Sequence, residues 1–189
     1  MKIEGLTFSF EDKVIFENLN LEIEDGCITA LMAPSGNGKT TLLRLIAGLL
    51  KPQDGSIDIQ NRSVGIMFQD PRLFGQLTAL QNVMMVVGDK SFKKQRAMQL
   101  LQAFHLADAA NKYPDELSGG MAKRISLARA IAYDADILLL DEPFSALDKD
   151  TKAHVMDAAK PFLKGKTVLL VTHDIQEAEA FADKVIHLP

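Results

Sequence analysis

The chain has 189 residues, 47% of them hydrophobic, and a formal net charge of −4. This length supports one well-buried domain, and an acidic balance without a basic run argues against electrostatic capture of nucleic acid. A single cysteine, Cys27, excludes an internal disulfide and suits a reducing compartment; its place in the apolar run CITALMA predicts a buried strand residue rather than a reactive thiol.

The start MKIEGLTFSF has no apolar core of signal-peptide type. KIEGLTFSF and VIFENLNLEI alternate apolar and polar residues and predict strands, with EDG at 24–26 as a turn. CITALMA is a short continuous apolar run, as expected of a strand buried on both faces. A glycine-bearing loop follows, then the helix KTTLLRLIAGLL, with Leu42, Leu43, Ile46 and Leu49 predicted on its inner face. KPQDGSIDIQ predicts a turn and a strand, and SVGIMFQ another strand. From 75 to 132 strand signals vanish, and LTALQNVMMVV, FKKQRAMQLLQAFHL and GGMAKRISLARAIA show helical periodicity. Strands then return in alternation with helices: DILLLDEP, KDTKAHVMDAAKPFL, KTVLLVTHD, IQEAEAFAD and KVIHLP. Such alternation implies a mostly parallel sheet. The expected plan is one α/β domain over 1–189, with a core of 1–74 and 133–189 and a helical insertion at 75–132. The apolar stretches fall short of the roughly 20 residues that cross a bilayer, so the chain is expected to be soluble by itself.

In parallel sheets, ligands sit beyond the carboxyl ends of the strands, and MAPSGNGKT, FQD, LDEP and VTHD all follow predicted strands. APSGNGKTT, at 33–41, nearly matches the phosphate-loop pattern G-x-x-x-x-G-K-[ST], with Ala33 in place of the first glycine. Backbone N–H groups in such a turn, together with a helix N-terminus, attract anions. Gly36 and Gly38 would let the backbone approach phosphates, Lys39 would reach the β and γ oxygens, and Thr40 would offer its hydroxyl to Mg2+. Alanine at 33 costs on the order of 1–2 kcal/mol if φ is positive there and little if the residue is extended. The other reading is a glycine-rich turn with a surface lysine.

ILLLDEP ends four apolar residues on Asp141 and Glu142. Asp141 would hold Mg2+ through water, and Glu142 would orient or deprotonate an attacking water, a role worth about 10²–10⁴ in rate. The other reading is a strand running into a solvated acidic turn. His173, just past TVLLV, would contact a γ-phosphate or position water, or serve structure alone. His105, His154 and His187 have no such setting and read as structural or surface residues. The amide of Gln69 stands where it would touch water or Mg2+. Ser118, Gly119 and Gly120 open a helix, either as a plain N-cap or as a second phosphate-binding helix start. Their distance in sequence from 33–41 suggests a site shared between two protomers.

In this order the motifs resemble those of the ATP-binding-cassette family, over essentially the whole chain. They are the phosphate loop at 33–41, Gln69, LSGGM at 117–121, Asp141 with Glu142, SALD at 145–148 and His173. The resemblance implies a P-loop NTPase with a RecA-like core, an N-terminal antiparallel β subdomain and an inserted α-helical subdomain. It implies a homodimer closing head to tail on two ATP, each held with Mg2+ between the phosphate loop of one copy and Ser118, Gly119 and Gly120 of the other. Asp148 would link the two sites. Phe10 falls where the family stacks an aromatic on adenine, with a core strand residue as the alternative. Closure would drive a membrane permease seated near QDPRLFGQLTAL, where Phe74 and Leu77 serve either that contact or core packing.

Several features depart from the family pattern. Ala33 replaces a glycine, although Ser35, Gly36, Asn37, Gly38, Lys39, Thr40 and Thr41 are intact, which favours a working site. Met121 replaces the glutamine that usually follows the two glycines, and methionine donates no hydrogen bond. The stretch between GSIDIQ and VGIMFQ is short, and the sequence stops after KVIHL, where some importer subunits carry a regulatory domain. MFQDPRLFGQLTALQNV and VTHDIQEAEAFADKVIHL look most like ATPase subunits of bacterial importers of the nitrate, sulfonate and taurine type. This implies a cytoplasmic subunit, peripheral on the inner face of the cell membrane, that powers import of a small solute through a separate permease served by a substrate-binding protein. The alternatives are an ATPase subunit for export, lipoprotein release or cell division, and a soluble ATPase of the family acting on DNA or ribosomes.

Overall fold

The computed structural model describes every residue except Asp12, Ser35, Lys90 and Pro189. The chain opens with β1 (Lys2–Phe10), β2 (Lys13–Glu22), β3 (Ile28–Met32), α1 (Lys39–Ile46), β4 (Asp54–Asp58) and β5 (Val64–Met67). The next helices are α2 (Ala79–Met84), α3 (Lys93–Ala103) and α4 (Gly119–Ala132), with 3-10 turns at Ala107–Ala109 and Pro114–Glu116. The remainder is β6 (Ile137–Asp141), α5 (Lys149–Leu163), β7 (Thr167–Val171), α6 (Ile175–Phe181) and β8 (Lys184–His187).

The strands form two sheets. The first is antiparallel, in the order β2-β1-β4; irregular pairing between Ile3 and Leu6 breaks strict alternation, and the sheet buries Ile3, Leu6 and Phe8 with Phe16 and Leu19. The second is parallel, in the order β5-β6-β7-β3-β8. Its inner strands β6, β7 and β3 are buried at successive positions because both faces are covered. Ile137, Leu139, Leu169 and Val171 pack with α1 and the antiparallel sheet. Leu138, Leu140, Val168 and Leu170 pack on the other face with residues of α2 to α6.

The starts of α2, α4 and α5 follow visible caps. Thr78 and Gln81 form a capping box on α2, Ser118 accepts from Met121 N–H, and Asp148 accepts from Thr151 N–H. Two local expectations change. α1 ends at Ile46 because the chain turns through Gly48 at φ 69°, so Leu49 is exposed and Leu45 is buried instead. Cys27 is half-buried and lies one residue ahead of β3, where the Asp183 carboxylate accepts from Ile28 N–H at 2.8 Å.

Candidate active site

β6 lies between β5 and β7, so the residues just past the three strand ends meet. Glu142 follows β6 directly, while Gln69 and His173 each stand two residues beyond their strands. Gln69 Nε2 donates to Glu142 Oε2 at 3.3 Å, and His173 Nδ1 lies 3.1 Å from Glu142 Oε1. The glutamate's two oxygens are thereby held from opposite sides by neighbouring strands. Its N–H still bonds Val171 O at 2.9 Å, but its φ is 48°, a left-handed conformation costing on the order of 1–2 kcal/mol outside glycine. A non-glycine residue held in that conformation beside charged neighbours fits the pattern of strain kept at functional positions.

β3, on the far side of β7, feeds the glycine loop and α1. Ser35 lies outside the described residues. Gly36 and Gly38 adopt φ 87° and 78°, which side chains disfavour. A Cβ on Gly36 would meet no atom within 4 Å, whereas one on Gly38 would stand 2.4 Å from Ile15 Cγ2 and 2.8 Å from Phe16 Cζ. Gly38 therefore lets the loop pass β2, and Gly36 leaves open space. Asn37 is exposed and Thr41 half-buried. Ala33 does not take a positive φ, and its methyl packs against the α1 side of the core, so alanine costs little there. Lys39 Nζ donates to the carbonyls of Ala33 and Pro34.

Thr40 Oγ1 donates to Asp141 Oδ2 at 2.7 Å, tying α1 to β6. Asp141 is 3% exposed, and burial pushes its carboxyl above the usual range, against the bond from Thr40. A half-buried hydroxyl bonded to a buried carboxylate suits Mg2+, which takes one or two protein oxygens and completes its shell with phosphates and water. Beside the loop, a cleft of about 750 Å³ runs along β2, lined by Val14, Phe16, Asn18, Gly36 and Asn37. Phe10 is exposed and does not line it, but pairs across the hairpin with Lys13, which does.

Ser118 and Gly119 are exposed at the start of α4, and a Cβ on Gly119 would meet nothing within 4 Å. Gly120 is half-buried beside Ala146 and Leu147. Among the described residues, no hydrogen bond joins these three to the phosphate loop of the same chain. Met121 packs on the main core. Asp148, exposed, caps α5, and the Thr151 N–H holds its carboxyl below the usual range.

One residue of the site escaped the sequence reading. Lys123, 3% exposed, donates from Nζ to the carbonyl of Gln69, and burial pushes its ammonium down against the pull of Asp141, Glu142 and Asp70. The available signal was a lysine three and four residues from Gly120 and Leu127, on the buried stripe of α4.

The segment after Gln69 is pinned. Buried Asn82 bonds the carbonyls of Phe74, Leu77 and Thr78 and accepts from Phe74 N–H, while Arg129 donates to Pro71 O at 2.9 Å. Phe74, 48% exposed, is not a core residue, and Leu77 is half-buried. With Phe68, Arg72, Val86, Arg129 and Tyr133, Phe74 lines a groove of about 320 Å³.

A parallel sheet that turns into a helix through a glycine loop, and meets that helix with a buried aspartate from another strand, is the construction of a P-loop nucleoside triphosphatase. Comparison with known proteins narrows that class. A family profile described as "ABC transporter" matches residues 16–145, more than half of the sequence, and the chain belongs to that family. It is 43% identical to the aliphatic sulfonates import ATP-binding protein SsuB of Bacillus subtilis, over 87% of this chain and 68% of that protein. It is 37% identical to the sulfate/thiosulfate import ATP-binding protein CysA 1 of Agrobacterium fabrum, over 98% of this chain. The chain spans 60% of the length of that second relative. The dimeric post-hydrolysis state of the ATP-binding cassette MJ0796 bound to ADP and Pi superposes with a TM-score of 0.85 at 33% identity, covering 99% of this chain and 93% of that one.

Proposed function

We propose that the chain is the ATP-hydrolysing subunit of an importer, working as a pair of copies on a separate membrane permease. The observation that carries the reading is the Glu142 carboxylate held between Gln69 and His173, beside the Thr40–Asp141 pair. Gly36, Asn37, Gly38 and Lys39, with Ser35 and Thr41, would hold the phosphates; Lys39 would exchange its carbonyl partners for phosphate oxygens. Thr40, Asp141 and Gln69 would hold Mg2+, which would neutralise charge on those oxygens. Glu142 takes a proton from water as the water oxygen bonds to the γ-phosphorus and the bond to the β–γ bridging oxygen breaks, releasing ADP and phosphate. Gln69 and His173 orient that carboxylate, and the second ring nitrogen of His173 is left for the γ-phosphate.

In the pair, Ser118, Gly119 and Gly120 would close on the partner's nucleotide, Asp148 would link the two sites, and Phe10 would stack on adenine. The relatives' names support import of a small oxyanion such as a sulfonate or sulfate, which other subunits would bind. The division into 1–74 with 133–189 and 75–132 belongs to the same reading, with the permease seated in the groove at Phe74. Among the described residues, no helix is long and apolar enough to cross a membrane. On this reading the chain reaches the membrane's inner face through the permease, with a substrate-binding protein as an indirect partner.

Glu142→Gln tests the catalytic assignment. The variant should bind ATP, lose about 10²–10⁴ in phosphate release and accumulate as a dimer, and normal turnover would refute the role. Mass spectrometry of proteins captured with the chain from gently solubilised membranes, without Mg-ATP, tests the importer. A permease with a binding protein is expected, and a membrane partner without one would favour export.

A further inference from the structure

We propose that Lys152 is a positioning residue for His173, holding from α5 the turn that carries the histidine. The inference deepens the ATPase reading and rests on it. The side chain of His173 is 63% exposed, so beyond its contact with Glu142 the position of its ring depends on the backbone at 172–174. Both neighbours are tied into one knot. Thr172 Oγ1 donates to Glu177 Oε2 at 2.6 Å and accepts from Asp174 N–H at 3.1 Å. Asp174 Oδ1 accepts from the N–H groups of Gln176 and Glu177, capping α6. Lys152 joins this knot to another element, donating to Asp174 Oδ2 at 3.3 Å and to Glu177 Oε1.

Glu177 is 5% exposed and Lys152 is its counter-ion. Removing the half-buried ammonium leaves the buried Glu177 carboxylate without compensation, and the structure around it must give. Here the groups that give are Thr172 and Asp174, on either side of the histidine. The charges agree with the geometry. The bond to Glu177 raises the Lys152 ammonium above its usual range. At Asp174, burial opposes ionisation, but the N–H groups of Gln176 and Glu177 and the ammonium outweigh it and lower the carboxyl. Lys152 stands four residues, about one turn, beyond Asp148, the cap of α5, so the same helix start positions both.

A merely structural lysine and a positioning one differ in their dependence on His173. We would measure ATP affinity, thermal unfolding and single-turnover phosphate release for wild type, Lys152→Met, Lys152→Arg, His173→Ala and the Lys152→Met/His173→Ala pair. The expected result is a loss of about tenfold in the rate for Lys152→Met, within the range of coupling between contacting groups, with ATP affinity unchanged. Lys152→Arg should restore the rate, and Lys152→Met should cost nothing further once His173 is alanine. An equal loss in both backgrounds, a loss carried by ATP affinity, or no loss at all would overturn the proposal. Should Lys152→Met not fold, Glu177→Gln enters the same cycle with the same expectations. A wild-type chain that binds ATP without releasing phosphate would overturn the ATPase reading and this inference with it, whereas an active wild type with an indifferent Lys152 would overturn the inference alone.

Discussion

Gly36 and Gly38 separate two costs that usually come together. Both have positive φ, so alanine at either pays the left-handed penalty of on the order of 1–2 kcal/mol. At Gly36 nothing else is added, because a Cβ there meets no atom within 4 Å. At Gly38 the Cβ would stand 2.4 Å from Ile15 Cγ2 and 2.8 Å from Phe16 Cζ, both on β2 and neither the end of a flexible chain. Overpacking of that kind adds about 1–3 kcal/mol, for a total near 2–5 kcal/mol. At about 2–4 °C per kcal/mol for a chain of this size, nucleotide-free Gly38→Ala should melt roughly 2–12 °C below Gly36→Ala. ATP affinity separates them in another way. Gly36 lines the cleft, so its new methyl would stand where phosphate approaches. Loss of one charge-assisted bond there, about 1.5–3 kcal/mol, weakens ATP binding about 10–150-fold. Gly36→Ala should therefore lose affinity out of proportion to its melting temperature. Thermal unfolding without nucleotide and equilibrium dialysis with ATP decide it. Equal melting temperatures, or a lower one for Gly36→Ala, would refute the idea that β2 fixes the loop at Gly38.

Two other substitutions follow from the same region. Ala33→Gly should leave ATP affinity within about twofold and lower stability by about 0.4–1 kcal/mol, because the position needs no positive φ; a large gain in affinity would show that alanine impairs the loop. Burial raises the Asp141 carboxyl above its ordinary 3.8, so the folded state holds that proton more tightly and the group's contribution to stability falls as pH rises from 3.8 through the raised value. Nucleotide-free Asp141→Asn should thus melt above wild type at pH 7, the gap closing towards pH 4, while Mg-dependent hydrolysis is lost; a gap unchanged between those pH values would refute the argument.

Much of the fold could be read from the sequence where local chemistry decides it. The starts of α4 and α5 are legible because Ser118 and Asp148 are caps that their own helices require. The central strands are legible because burial on two faces leaves a run such as ILLL no polar alternative. The end of α1 was not, since the apolar period runs on through LIAGLL and only the left-handed turn at Gly48 stops it. The four strand-end stretches were visible as candidates, but not their meeting. That depends on sheet order: β7 enters between β6 and β3, although β3 comes far earlier in the chain. No local pattern encodes this insertion, and it is what allows Gln69 and His173 to hold one carboxylate between them.

Lys123 shows why the remaining part was hidden. In sequence it is one member of a Lys-Arg pair on a helix, the usual mark of a solvated face. In the fold it is the link between two devices. Its ammonium holds the carbonyl of Gln69, whose amide holds Glu142, so two hydrogen bonds lead from α4 to the carboxylate. The same helix, through Arg129, holds Pro71 and stacks over Phe74 in the exposed groove. A permease pressing on 71–77 would therefore load α4 at Arg129 and Lys123 together. Since Ser118 caps the start of α4, that load would reach the start of the helix, which closes on the partner's nucleotide in the proposed pair, and Glu142 in the chain's own site. A shorter side chain at 123 would leave the helix in place and cut the second route.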